Sequence, residues 1–146
     1  MTADWSLFVA PIWPVPVPGP TVELFVDASA SGWGAWIATP NYITSNGFFS
    51  LEDREGSSTL REVLGLLFAL RAFVAVLRDR RIRVFTDKQN VPRVQRKGSA
   101  VPALGLAAKQ LYALTQTENI TLTVEWIPRE LNSLADHLSK SPDKDD

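Results

Sequence analysis

The sequence predicts a single α/β domain, a mixed sheet with an antiparallel meander at one side and helices on its faces. Three observations point there. Short β-rich segments at residues 21–27, 33–38 and 41–50 follow one another with brief connections, as a meander requires. A 3.6-residue apolar period over residues 59–77 then leads into another β-rich segment at 81–86, and strand–helix–strand implies a right-handed parallel crossover. Finally, 146 residues with 45% hydrophobic and 21% charged suit one domain, able to bury roughly 70% of its unfolded surface.

Each element has its own local reason. Residues 1–20 hold Pro11, Pro14, Pro16, Pro18 and Pro20, half of the chain's ten prolines. Each fixes φ and removes a donor, so an extended or polyproline-like linker or surface arm is expected, with Trp5 and Trp13 as anchors. TVELFVD at 21–27 is nearly continuously apolar, as a central strand covered on both faces would be. Ala28 to Gly32 form a turn, and WGAWIA returns, with Trp33 and Trp36 on opposite faces as packing residues. NYITSNGFFS reads as a third strand, with Asn46-Gly47 supplying a turn or bulge.

The long helix over 59–77 places apolar residues at 60, 63, 64, 67, 70, 74 and 77. RIRVFT at 81–86 is the fourth strand. A short helix spans 90–97, with Pro92 in its first turn and Gly98 as its stop. Pro102 opens a helix over 102–117, ITLTVEWI at 120–127 is the last strand, and a closing helix covers 130–140. The domain is therefore expected over 21–140, with 141–146 a flexible tail.

Composition narrows the chemistry. Without cysteine there is no disulfide scaffold, no Cys-ligated zinc and no thiol nucleophile. One histidine, His137, excludes His-rich metal sites and leaves a Ser-His-Asp triad a poor fit. Hydrolytic chemistry would have to rest on carboxylates. The longest apolar run in the long helix, 63–70, is far short of the roughly 20 residues that span a bilayer. The N-terminus lacks a basic region and is broken by proline, so it does not read as a signal peptide. The chain is expected to be intracellular, in cytoplasm or nucleus, with no membrane partner. Net charge is −1, yet residues 78–97 carry eight basic and two acidic side chains, a local +6 that leaves −7 elsewhere. Such a stripe is either a solvated helix end or a contact for a phosphate backbone.

Four acids stand out. Asp27 ends Leu24-Phe25-Val26 and Asp87 ends Val84-Phe85-Thr86; either is an Asx turn or cap, or a functional carboxylate. Glu62 lies on the flank of the long helix's apolar stripe, where Thr59-Leu60-Arg61-Glu62 also fits a capping box. Asp136 sits inside the closing helix, with low propensity and no capping reason. A parallel crossover puts Asp27 and Asp87 side by side at one sheet edge, within reach of Glu62 and Asp136. Carboxylates gathered there repel one another, and hard divalent cations, Mg²⁺ or Mn²⁺, would neutralise them. Two such ions about 4 Å apart can stabilise both the attacking water and the leaving oxygen of a phosphodiester.

VELFVDASASGWGAWI, STLREVLGLLFAL, RVFTDKQNV and EWIPRELNSLADHLSK together resemble the ribonuclease H domain of retroelement reverse transcriptases. The phrases DAS…GWGA and IPR…N…AD…LS are closest to DIRS-like elements, and the resemblance runs over residues 21–140. It implies the RNase H-like fold, a five-stranded mixed sheet in order 3-2-1-4-5 with helices on both faces. It also implies hydrolysis of the RNA strand of RNA/DNA hybrids, leaving 3′-hydroxyl and 5′-phosphate ends. Asp27, Glu62, Asp87 and Asp136 would be catalytic residues and ligands of two Mg²⁺ ions, with Mn²⁺ as substitute. Hybrid contacts would come from Ser29, Gly32, Lys88, Asn90, Arg93, Arg96, Lys97, Arg129 and Asn132. Of these, Asn132 reads more readily as a residue starting the last helix. The reverse transcriptase portion of the same polyprotein would be a partner.

Two departures from the family pattern bear on activity. Trp126 and the loop Ile127-Pro128-Arg129-Glu130 hold no histidine ahead of Asp136, which implies slow turnover. Lys88 follows the fourth-strand Asp where related sequences carry Asn or Ser; it would contact a substrate phosphate or compete with metal. Two other readings therefore stand beside a nuclease: a binding module of the same fold with weakened catalysis, and a DNA-cutting integrase or transposase core. Glu62 on the first long helix disfavours the last.

Overall fold

Alternation along β1 (Val22–Ala28) sends Val22, Leu24 and Val26 to one face, where they are buried, and Glu23, Phe25 and Asp27 to the other. The computed structural model describes the backbone of residues 21–144 and the side chains of residues 21–140. The arm expected over 1–20 lies outside the described residues. β1 is flanked by antiparallel β2 (Gly32–Thr39) and parallel β4 (Arg81–Thr86). β3 (Ile43–Phe48) pairs with β2 and β5 (Thr121–Trp126) with β4, giving the five-stranded order β3-β2-β1-β4-β5 that was expected.

One face of the sheet receives α2 (Ser58–Ala72), backed by α5 (Pro102–Thr117). Leu24, Ile37, Leu66, Leu67, Leu70, Ile82 and Leu111 make the centre of that core, all buried. The other face receives α6 (Ser133–Lys144), whose backbone lies directly on β2. A Cβ on Gly34 would collide with Leu138 and Ser139, and one on Gly32 would sit 2.9 Å from the Ser139 carbonyl. Both glycines are therefore required by this packing. Trp33 and Trp36 do point to opposite faces, Trp33 to Phe68 of α2 and Trp36 to Phe25.

Four expectations need correction. Asn46 and Gly47 form no turn or bulge: both lie in β3, in register with Gly34 and Trp33, and Gly47 leaves room for the Trp33 indole. The long helix does not run unbroken over 59–77. It ends at Ala72, and one further turn, α3 (Val74–Leu77), follows Phe73. The aromatic and β-branched run Phe73-Val74-Ala75-Val76 has low helix propensity, and the break buries both Phe73 and Leu77. A single turn, α1 (Leu51–Arg54), precedes α2 and was not anticipated; Ser50 caps it by accepting from the Asp53 amide.

The closing helix also differs. Residues 129–131 form a 3₁₀ turn and α6 starts at Ser133, then continues through Pro142 to Lys144, past the expected end at Lys140. Pro142 has no N–H for the Leu138 carbonyl, and Asn46 Nδ2 donates to that carbonyl instead, at 3.0 Å. A tertiary bond replaces the missing helical one. Between β4 and β5, α4 (Val91–Lys97) is a short helix stopped by Gly98 at φ 72°, as expected. No described helix is long and apolar enough to cross a membrane.

Candidate active site

The ordinary roles open to the four acids are taken by their neighbours. In the turn after β1, Ser29 Oγ accepts from the Gly32 amide at 3.1 Å and donates to the Ser139 carbonyl at 2.9 Å. After β4, Thr86 Oγ1 accepts from the Lys88 amide at 3.1 Å. The N-cap of α2 is Ser57, accepting from Leu60, two residues before the expected capping box. The capping-box reading of Glu62 is thereby overturned, and Glu62 is turned inward.

Asp27, Glu62 and Asp87 each place a carboxylate oxygen within 4.8 Å of the others, at the C-terminal ends of the parallel pair β1 and β4. Asp27 and Glu62 are buried and Asp87 is half-buried. Asp136, on the first turns of α6, is close enough to Asp27 to raise its pKa and pairs with Lys140 at 3.3 Å. All four line one cleft of about 380 Å³, together with Ser29, Lys88 and Arg129.

The electrostatics are those of an uncompensated acid cluster. Burial, then the Asp87 charge and the Asp136 carboxyl, push the Asp27 carboxyl from 3.8 up to about 7, against the Ala28 amide. Burial, then the Asp27 and Asp87 charges, push Glu62 from 4.5 up to about 9, with Lys88 opposing. Glu62 Oε1 is buried with no hydrogen-bond partner among the described residues. An orphaned carboxylate oxygen inside a set of oxygen ligands is what a hard divalent cation would satisfy. The donor set therefore fits Mg²⁺ or Mn²⁺.

The remaining expected residues fall into three groups. Lys88 lies on the cleft wall, its Nζ donating to Ser58 Oγ at 3.0 Å, and exposed Arg129 lies on the same wall. Asn90, Arg93, Arg96 and Lys97 are exposed on and before α4. Gly32 is buried beneath α6, and Asn132 is 1% exposed, its Nδ2 donating to the Val26 carbonyl at 2.9 Å. Asn132 thus ties the start of α6 to β1, one residue from Asp27, and its buried side chain does not face the cleft. His137 is exposed on α6.

The basic stripe is also divided. Arg78 pairs with Glu118, and Arg83 with Glu23 and Glu125, at the end of the sheet away from the acids. Lys109, far along the chain, joins Arg96 and Lys97 on a second depression beside Tyr112. Ser58 and Lys140 on the cleft wall were not anticipated. The i,i+4 spacing of Asp136 and Lys140 is the signal that could have found the latter.

No protein-family model matches the sequence, and a search of curated proteins gives no significant match. Solved structures do resemble it. RNase H1 from the halophilic archaeon Halobacterium salinarum superposes with a TM-score of 0.71 at 17% identity, covering 86% of this chain and 99% of that one. The N-terminal RNase H domain of rv2228c from Mycobacterium tuberculosis gives 0.67 at 22% identity, over 84% and 98%. A foamy viral protease-reverse transcriptase in complex with RNA/DNA hybrid gives 0.57 at 13% identity, over 94% of this chain and 22% of that one. The fold is that of ribonuclease H.

Proposed function

We propose that the domain is a metal-dependent endonuclease that hydrolyses the RNA strand of RNA/DNA hybrids, leaving 3′-hydroxyl and 5′-phosphate ends. The observation that carries this reading is the buried cluster of Asp27, Glu62 and Asp87 with the orphaned Glu62 oxygen, on an RNase H fold. Asp27, Glu62, Asp87 and Asp136 would hold two Mg²⁺ ions, or Mn²⁺ in their place. Bound there, such ions lower the pKa of a coordinated water and stabilise the departing 3′-oxygen.

The chain's own groups do the rest. Lys88 and Arg129 on the cleft wall take the phosphates next to the scissile bond, and Ser29 borders the same cleft. Asn90, Arg93, Arg96 and Lys97 contact the backbone further along the hybrid, where phosphate contacts position the duplex without reading its sequence. Selection of RNA rests on hybrid shape and on 2′-hydroxyls exposed in a wide, shallow minor groove. Gly32 and Asn132 act as positioning residues beneath α6. The retroelement context, a DIRS-like element with reverse transcriptase as the attached partner, rests on the sequence phrases and on the foamy viral likeness.

The test is cleavage of end-labelled RNA annealed to DNA with Mg²⁺ or Mn²⁺, beside Asp27→Asn. Metal-dependent cutting of the RNA strand that spares duplex DNA and is lost in the variant is expected. Hybrid binding without cutting in either metal would instead support a binding module with weakened catalysis. Lys88 favours that second reading, because its ammonium on the cleft wall competes with a cation for the same carboxylates.

A further inference from the structure

The depression at the junction of α4 and α5 is electrostatically the opposite of the acid cleft. Gly98 ends α4, and a Cβ on Gly105 would meet the Ser99 carbonyl at 2.7 Å, so the connecting loop packs directly on α5. That close approach sets Arg96 and Lys97 beside Lys109 and Tyr112, around a hollow of about 390 Å³ that no carboxylate lines. All three cations are exposed and form no ion pair among the described residues, whereas Arg78 and Arg83 are both paired. Tyr112 is 67% exposed and lies one turn from Lys109 on α5. Two other exposed rings are partly covered: Tyr42 leans on Trp36, and Phe48 carries the Arg54 guanidinium. Among the described residues, no ring and no cation covers Tyr112.

We propose that this hollow binds single-stranded nucleic acid, with one unpaired base stacked on Tyr112 and the flanking phosphates on Arg96, Lys97 and Lys109. Cations alone would serve duplex and single strand alike. The ring decides between them, because the base faces of a duplex are covered by their neighbours, whereas an unpaired base offers its π-face to an exposed aromatic side chain. Position makes the hollow an extension of the hybrid path. A groove of about 560 Å³ lined by Thr59, Asn90, Arg93 and Lys97 adjoins it and shares Lys97 with it. Thr59 in turn follows Ser58, on the wall of the acid cleft. A hybrid held along α4 would thus pass an unpaired stretch of one strand to Tyr112. That continuity rests on the hybrid reading of α4; single-strand binding in the hollow requires neither cleavage nor metal.

The experiment measures binding of the full chain, without divalent metal, to a fluorescein-labelled oligothymidylate of about twelve nucleotides by anisotropy. An abasic deoxyribose-phosphate chain of the same length and charge is the reference. The parent is expected to bind the thymidylate about tenfold or more tighter than the abasic chain, as one stacked base allows. Tyr112→Ala should remove that advantage and Tyr112→Phe should keep it, while Lys109→Ala should weaken both probes. An oligouridylate of the same length is run in parallel, and the tighter of the two names the strand the site takes. Blunt-ended RNA/DNA hybrid should bind Tyr112→Ala as it binds the parent. No binding by the parent, equal affinity for the two reference probes, or an advantage that survives Tyr112→Ala would each overturn the assignment. An equal loss of blunt hybrid in Tyr112→Ala would also overturn it, by placing the ring on the duplex path. A chain that never cuts hybrid would leave all these binding results in force, so failure of the nuclease reading is told apart from failure of this one.

Discussion

Asp27 and Glu62 hold protons at pH values where the isolated residues would have lost them, and this ties stability to pH with a definite sign. Raised folded-state pKa values, about 7 for Asp27 and about 9 for Glu62, mean that the folded chain binds more protons than the unfolded one above pH 4. Their contribution is complete below the unfolded values and is lost as pH rises through 7 and then 9. Thermal melts without divalent metal should therefore fall steadily from pH 5 to pH 9. The slope is at most about 1.4 kcal/mol per pH unit for each carboxyl. Mg²⁺ should flatten the curve, because a bound cation favours the ionised forms. Glu62→Gln should flatten it without metal, and a melt of that variant as steep as the parent's would contradict the cluster's electrostatics. For catalysis, Asp27→Asn should lower hybrid cleavage by about 10³-fold or more, in line with losing a preorganised charge at a reacting centre.

α6 and β2 meet backbone to backbone, and the site depends on how closely they do. Gly34 has no space for a side chain beneath Leu138 and Ser139, and Asp136 lies one turn back along the same helix. Gly34→Ala should push α6 outward and cost about 1–3 kcal/mol, the usual range for overpacking. It should also separate Asp136 from Asp27, so cleavage should fall further than denaturant stability alone accounts for. Ser57→Ala is the contrasting case. It removes the cap bond to Leu60 and should cost about 1 kcal/mol, with Glu62 still inside a helix held by Leu66, Leu67 and Leu70. Urea melts of the two variants, read beside hybrid cleavage, separate the roles.

The charge of the whole chain is close to zero, so binding of a polyanion has to come from local placement. Arg78 and Arg83 are committed to carboxylates at the far end of the sheet, whereas Arg93, Arg96 and Lys97 stand exposed on α4. Replacing those three by alanine should weaken hybrid binding uniformly across sequences. It should also reduce the slope of log K against log salt by about 2–3, which a salt titration measures directly. Folding and melting should change little, because none of the three is buried.

The full strand order came only with the family resemblance; local rules were enough for the meander, the parallel crossover and the helices at 91–97 and 102–117. Each of those rests on periodicity, caps, breakers or the handedness of a crossover. They failed where a long-range contact outweighed propensity. Asn46-Gly47 is a turn signal that became strand because Trp33 needs the space. Helix α6 crosses Pro142 because Asn46 serves the stranded carbonyl of Leu138. The same holds for the site: residue types and chain order are local information, whereas the orphaned oxygen of Glu62 and the raised pKa values of the cluster depend on burial. Burial is set by how α2 and α6 seat on the sheet, and spacing along the chain does not encode that.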